Sequence, residues 1–167
     1  MTDLLRLDLD DPAVLARVWG IQRAAYAVEA ELIGFDGIPA LHESPDDLRT
    51  CGEEFLGAED GGELLAAISW TVLEDGTVDI CRLVVHPSAH RRGLASALLD
   101  ALDAEVPTPR TVVSTATDNH PALALYRLRG FKETGRRTVG DVLSLTLLER
   151  GPSSVSATAQ SPQAATS

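Results

Sequence analysis

Residues 80–105 read ICRLVVHPSAHRRGLASALLDALDAE, and two kinds of periodicity meet inside them. Ile80, Leu83, Val84 and Val85 form an apolar run closed by His86-Pro87, the pattern of a buried strand that stops at a turn. Leu94, Ala97, Leu98, Ala101 and Leu102 then recur at three- and four-residue steps, while Asp100, Asp103 and Glu105 fall mostly off that stripe. This predicts an amphipathic helix. Between strand and helix stands His90-Arg91-Arg92-Gly93, cationic and flexible, where the helix must begin. The N–H groups of a first helical turn lack intrahelical partners and carry the positive end of the helix dipole, so an anion fits there. Solvated surface arginines are an equally good account of these four residues taken alone.

Upstream, Leu4 to Leu9 reads as a first strand. Asp10 or Asp11, followed by Pro12, can cap a helix carrying Val14, Leu15, Val18, Ile21, Gln22, Ala25 and Val28 to about Glu31, with Gly34 as its stop. Ser44-Pro45-Asp46-Asp47 is a variant capping box opening a short second helix to about Thr50. Segments 54–59, 64–73 and 77–86, separated by Asp60-Gly61-Gly62 and Glu74-Asp75-Gly76, form an antiparallel meander. Downstream, Pro107 and Pro109 end the helix, and the β-branched Thr111–Thr115 reads as a strand parallel to the one before it. A helix follows from Asn119-His120-Pro121, stopped by Gly130, and then a hairpin ends in Val142–Leu148. The layout is α+β, with the domain at 1–150; the Ser/Ala/Thr/Pro-rich residues 151–167 read as a disordered tail.

Charge is unevenly placed. Residues 1–79 carry 18 acids against 4 arginines, whereas 80–150 carry 7 acids against 10 bases. A mostly acidic surface argues against nucleic-acid binding. The split suits an anionic ligand held by the second half and a cationic one met by the first. No apolar run reaches the length of a membrane span, and nothing resembles a signal peptide or metal cluster, so a cytoplasmic protein is expected. Cys81, inside the apolar strand, is expected to be a buried thiol.

The run Leu83-Val84-Val85-His86-Pro87, followed after three residues by Arg91-Arg92-Gly93-Leu94-Ala95, resembles the acetyl-CoA-binding motif of the GNAT superfamily of N-acetyltransferases. Asn119 to Phe131, NHPALALYRLRGF, resembles that family's next motif, N-x-x-A-x-x-L-Y-x-x-x-G-F. The resemblance implies the GNAT fold, with a mixed, mostly antiparallel sheet of six to seven strands and helices on both faces. It implies cofactor contacts at Leu83, Val84, Val85, Arg91, Arg92, Gly93, Leu94, Ala95, Ser96 and Asn119, and it gives Tyr126 the role of proton donor to the departing thiolate. His90 departs from the family's usual Gln or Arg. Asp79 stands on the strand where some members place a catalytic carboxylate, and Glu29, Glu31 and Glu43 are alternative bases. His42, His86 and His120 are taken as structural or surface residues.

The implied activity is transfer of acetyl from acetyl-CoA, without a metal, to a primary amine by direct attack in a ternary complex. The acceptor can be a small cationic amine or a protein N-terminus or lysine. Its seat is expected at the first two helices and their loop, where acidic residues concentrate. The alternative is a non-catalytic acyl-CoA sensor on the same fold. Many members dimerise, so a homodimer is one expectation.

Overall fold

The computed structural model describes residues 2–35 and 37–151. The tail expected at 151–167 lies, but for Gly151, outside the described residues. Thirteen short or long elements alternate along the chain, and the hydrogen-bonded strands run β1-β2-β3-β4-β5-β7-β6 in a seven-stranded sheet. That is the mostly antiparallel α+β layout expected. The described residues divide into two compact units, those of 2–71 with 80–102, and those of 72–79 with 103–151.

In the first unit, β1 (Thr2–Arg6) pairs antiparallel with β2 (Glu54–Asp60), and β2 with β3 (Glu63–Val72). The first strand is shorter than expected. Its continuation is turned aside where the Asp8 side chain accepts the Asp10 N–H and the Asp8 carbonyl accepts the Asp11 N–H. Leu7 and Leu9 are buried all the same and join Val18, Ile21, Leu48, Phe55, Leu64, Ala67 and Val84 in one core. Helix α1 (Pro12–Ile33) starts on Asp11, whose side chain accepts the Ala13 N–H, and stops at Gly34 in the left-handed region. Helix α2 (Pro45–Arg49) has only five residues, too few to persist unaided. Two devices hold it. Ser44 and Asp47 exchange both bonds of the capping box, and Leu48 is completely buried. Strand β4 (Val78–Val85) feeds a 3-10 turn at Pro87–Ala89 and then helix α3 (Leu94–Glu105). The helix buries Leu94, Leu98 and Leu102 of the predicted stripe and Leu99 beside it, while Ala97 and Ala101 of that stripe are half-buried.

In the second unit, β5 (Thr111–Ala116) and β6 (Lys132–Val139) both pair antiparallel with β7 (Leu143–Arg150), which lies between them. Helix α4 (His120–Leu128) precedes β6. Arg150 ties this unit together, because its guanidinium bonds the Asp103 carboxylate at 2.5 Å and the Arg129 carbonyl at 3.1 Å. It also stacks 4.6 Å from the Phe131 ring centre.

Candidate active site

The junction between β4 and α3 has the backbone that the sequence requires of it. Arg91 and Gly93 both adopt positive φ, at 67° and 74°, so the chain coils tightly before the helix starts. A left-handed arginine is uncommon and marks a turn held by its surroundings. The Gly93 carbonyl accepts the Ala97 N–H, so the N–H groups of Leu94, Ala95 and Ser96 lie at the start of the helix, before its ladder begins. A side chain on Gly93 would meet nothing within 4 Å, so the space beside it is open. Arg91 is exposed and makes no side-chain bond among the described residues. Arg92 differs, being tied to Asp60 of β2 at 2.5 Å. That guanidinium holds the Asp60 carboxyl below its ordinary range. His86 closes β4 by accepting the Ser88 N–H, a structural duty as expected.

The fit to an anionic pyrophosphate is good in charge and in space: a 12-residue helix dipole, an arginine without a partner and an unobstructed glycine converge on one turn.

In the second unit, Asn119 is the residue that caps α4, not one within it, and its side-chain carbonyl accepts the Ala122 N–H at 3.2 Å. Tyr126 is buried, with 5% of its surface exposed. Its ring meets Phe131 edge-on at 5.4 Å. The helix ends in a Schellman arrangement, with Phe131 N–H bonded to the Tyr126 carbonyl and Gly130 N–H to the Arg127 carbonyl.

The first unit also holds a cavity of about 430 Å3 lined by Tyr26, Pro39, Ala40, His42, Glu43, Asp47, Glu53, Cys81 and Arg82. It lies at the α1–α2 region where the acidic residues concentrate. Arg82 of β4 is its centre. Its side chain is only 10% exposed and is paired with Glu43 at 2.5 Å and Glu53 at 2.8 Å. Burial disfavours the charged guanidinium, but hydrogen bonds to Glu43 and Glu53 together outweigh that and keep it firmly protonated. Burial likewise pushes the Glu43 carboxyl up, yet bonds from Arg82 and Gln22 more than compensate and hold it below its ordinary value. A carboxylate so held is a weak base.

Of the other carboxylates proposed from sequence, Asp79 is half-buried on β4, Glu29 is half-buried on α1, and Glu31 lines a second, shallower hollow beside Gly34. None of the three lines the larger cavity. One expectation is corrected: Cys81 is exposed, not buried. Its strand neighbours Ile80 and Val84 take the buried positions, which leaves Cys81 on the open face. Gln22, Glu53, Tyr26 and Arg82 were not singled out by the sequence motifs. The signal for two of them was present: a charge inside an apolar strand and an amide on the apolar stripe of α1 both require buried partners.

The family model described as Acetyltransferase (GNAT) family matches residues 20–131. This chain belongs to the GNAT acetyltransferase family. Among curated proteins, the UPF0157 protein YqkA of Bacillus subtilis is 40% identical over 137 residues, 80% of this chain and 40% of its own length. Mycothiol acetyltransferase of Clavibacter sepedonicus is 38% identical over 81 residues, 47% of this chain and 27% of its own. The chain therefore spans less than half the length of these curated relatives. Among solved structures, the ribosomal-protein-S18-alanine N-acetyltransferase of Escherichia coli superposes with a TM-score of 0.73 at 20% identity, covering 92% of this chain and 95% of that one. The PaiA N-acetyltransferase of Thermoplasma acidophilum, solved in complex with coenzyme A, gives 0.73 at 16% identity, covering 90% and 99%. At those identities the likeness is one of fold. Among the described residues, no cluster of three or more acidic, His or Cys side chains could hold a metal, and no helix is long and apolar enough to cross a membrane.

Proposed function

We propose that this GNAT acetyltransferase moves acetyl from acetyl-CoA to a primary amine, probing a cationic acceptor through the acidic first unit. The observation that carries the reading is the β4–α3 turn, where left-handed Arg91 and Gly93 precede a helix start with open space beside it. Its shape and charge suit a pyrophosphate. The backbone of Leu83, Val84 and Val85 receives the pantetheine arm as an added strand would, and the N–H groups of Leu94, Ala95 and Ser96 receive phosphate oxygens beside Arg91 and Gly93. Arg92 contributes through its pair with Asp60 by fixing the turn. The Asn119 amide completes the cofactor contacts.

Acetyl-CoA supplies an activated acyl group on a good leaving thiolate. The chain's residues then have two proton tasks. An alkylammonium has a pKa of about 10, so the amine must shed a proton before it attacks. Asp79 is the proposed acceptor of that proton, since Glu43 is held in its ion pair with Arg82. The thiolate must gain a proton as it departs, and the Tyr126 hydroxyl, an O–H donor, is its proposed source. Attack is direct, in a ternary complex, and the protein is proposed to work in the cytoplasm. Release of free thiol from acetyl-CoA across a panel of amines tests the whole reading. Activity with cationic amines supports it, whereas calorimetric binding of acetyl-CoA without turnover on any amine would replace it with the sensor role.

A further inference from the structure

A guanidinium has five N–H donors, and in Arg82 every one is spent. Nε donates to Glu53 Oε1 at 2.8 Å, and Nη2 reaches Glu53 Oε2 at 3.2 Å. Nη1 and Nη2 reach Glu43 Oε1 and Oε2 at 2.5 Å and 3.0 Å. The fifth goes from Nη1 to Gln22 Oε1 at 2.7 Å. The partners are themselves anchored. Gln22, 1% exposed, donates to Glu43 Oε1 and to the Ala40 carbonyl, and Ser69 donates to Glu53 Oε1. The arrangement therefore fastens α1, the connection after it, the start of β2, and β3 to β4 through one side chain.

Two consequences follow for the cavity. The one guanidinium among its described lining residues has no donor left for an anion on a ligand. Two carboxylates also face one guanidinium, so the cluster keeps one unit of negative charge, to which Asp47 on the same wall adds another. The remaining walls are Tyr26, Pro39, Ala40, His42 and Cys81, which add ring, aliphatic and thiol surface and no fixed cation.

We infer that Arg82 is a specificity-determining positioning residue: it orients Glu43 and Glu53 so that the cavity takes an alkylammonium and rejects an amine whose neighbouring carbon bears a carboxylate. The acceptor is thus an amine without a free α-carboxylate rather than a free α-amino acid. This rests on the transferase reading only in taking the cavity as the acceptor's seat. An α-carboxylate would enter beside Glu43 and Glu53, whose guanidinium partner has no donor left for it, and like charges in a half-buried wall repel by more than they do in water.

The test reads occupancy at Cys81, which lines the cavity and is exposed, by its rate of alkylation with neutral iodoacetamide. Cys51 is the internal control, its thiol pushed up by burial and slow to react. Phenethylamine and phenylalanine methyl ester should each slow Cys81 alkylation, and phenylalanine at the same concentration should not. Protection by phenylalanine equal to that by phenethylamine overturns the inference. So does an absence of protection by phenethylamine, or by the ester, since the last would make bulk and not charge decisive. Glu43→Gln keeps the side chain's size and neutralises the cluster while giving up one of the two acceptors that meet Arg82, and should narrow the phenethylamine-to-phenylalanine ratio about tenfold. Arg82→Lys keeps the charge balance and should keep the order of preference; a reversed order in it, or an unchanged ratio in Glu43→Gln, overturns the assignment. Thiol release from acetyl-CoA, run in parallel, separates the two readings. Selective protection without release from any amine sinks the transferase and leaves the cavity's selectivity intact. Release with phenylalanine as fast as with phenethylamine sinks the selectivity and leaves the transferase.

Discussion

Phe131 holds Tyr126 twice, once by an N–H bond to its carbonyl at 2.9 Å and once by an edge-on ring contact at 5.4 Å. Both contacts use the backbone or the ring, and neither uses the hydroxyl. Tyr126→Phe keeps both of these contacts while removing the proposed acid. Turnover should fall by roughly 10²–10⁴-fold, the usual worth of a positioned proton donor, with acetyl-CoA affinity unchanged. Steady-state rates beside calorimetry check this, and a wild-type rate in the variant would strip Tyr126 of the role.

The same helix end depends on Gly130, which sits at φ 92°. A β-carbon there would meet Arg150 Cδ at 3.5 Å, ordinary contact, so steric crowding adds little. Gly130→Ala should cost about 1–2 kcal/mol, the strain of a left-handed alanine. Urea denaturation measures it; a loss near zero would mean that the Schellman geometry does not constrain the helix end.

Gly93 offers a cleaner separation of folding from binding. Space beside it is open, so Gly93→Glu should leave the fold intact apart from about 1–2 kcal/mol of backbone strain. The new carboxylate would project its charge where the phosphates are proposed to lie. Acetyl-CoA binding by calorimetry should vanish, and retained binding would move the pyrophosphate to another place.

Acid stability should carry the signature of Glu43. Its carboxyl is held below the ordinary 4.5, burial opposing and the Arg82 and Gln22 bonds prevailing. A lowered folded pKa gives stability that is complete above the unfolded value and is lost as pH falls through the folded one. Denaturation midpoints should drop on going below about pH 4.5, and Glu43→Gln should flatten that part of the curve. Asp103 acts oppositely, because burial raises it despite Arg150, so the difference between wild type and variant isolates Glu43. Parallel curves for the two proteins would count against the ion pair as a source of stability.

Much of this protein could be read from its residues because the signals were local. The capping box at Ser44 and Asp47, the stop at Gly34, the stripe of α3 and the Gly130 helix end each depend on neighbours a few positions away, and each stands where the sequence puts it. The two family motifs marked the β4–α3 turn and the start of α4 for the same reason. The Arg82 cluster could not be read so. Its partners lie 29, 39 and 60 positions off in the chain, and only the fold brings them together. Cys81 failed differently, because a mostly apolar strand does not reveal which of its faces is open. Asn119 was recognised by its motif, while its place as the cap of α4 was visible only once the helix start was fixed.

Strand β7 lies between β5 and β6 yet is the last of the three to be made. Until the ribosome has added residues 143–150, β6 has no partner in the order β5-β7-β6, and Asp103 and Phe131 wait for Arg150. The second unit therefore completes its sheet only once β7 is made, whereas β1 to β3 of the first unit have all their partners earlier in the chain. Unpaired, β6 would present Lys132, Arg136 and Arg137 along its edge, and charge on an open edge hinders pairing with other copies.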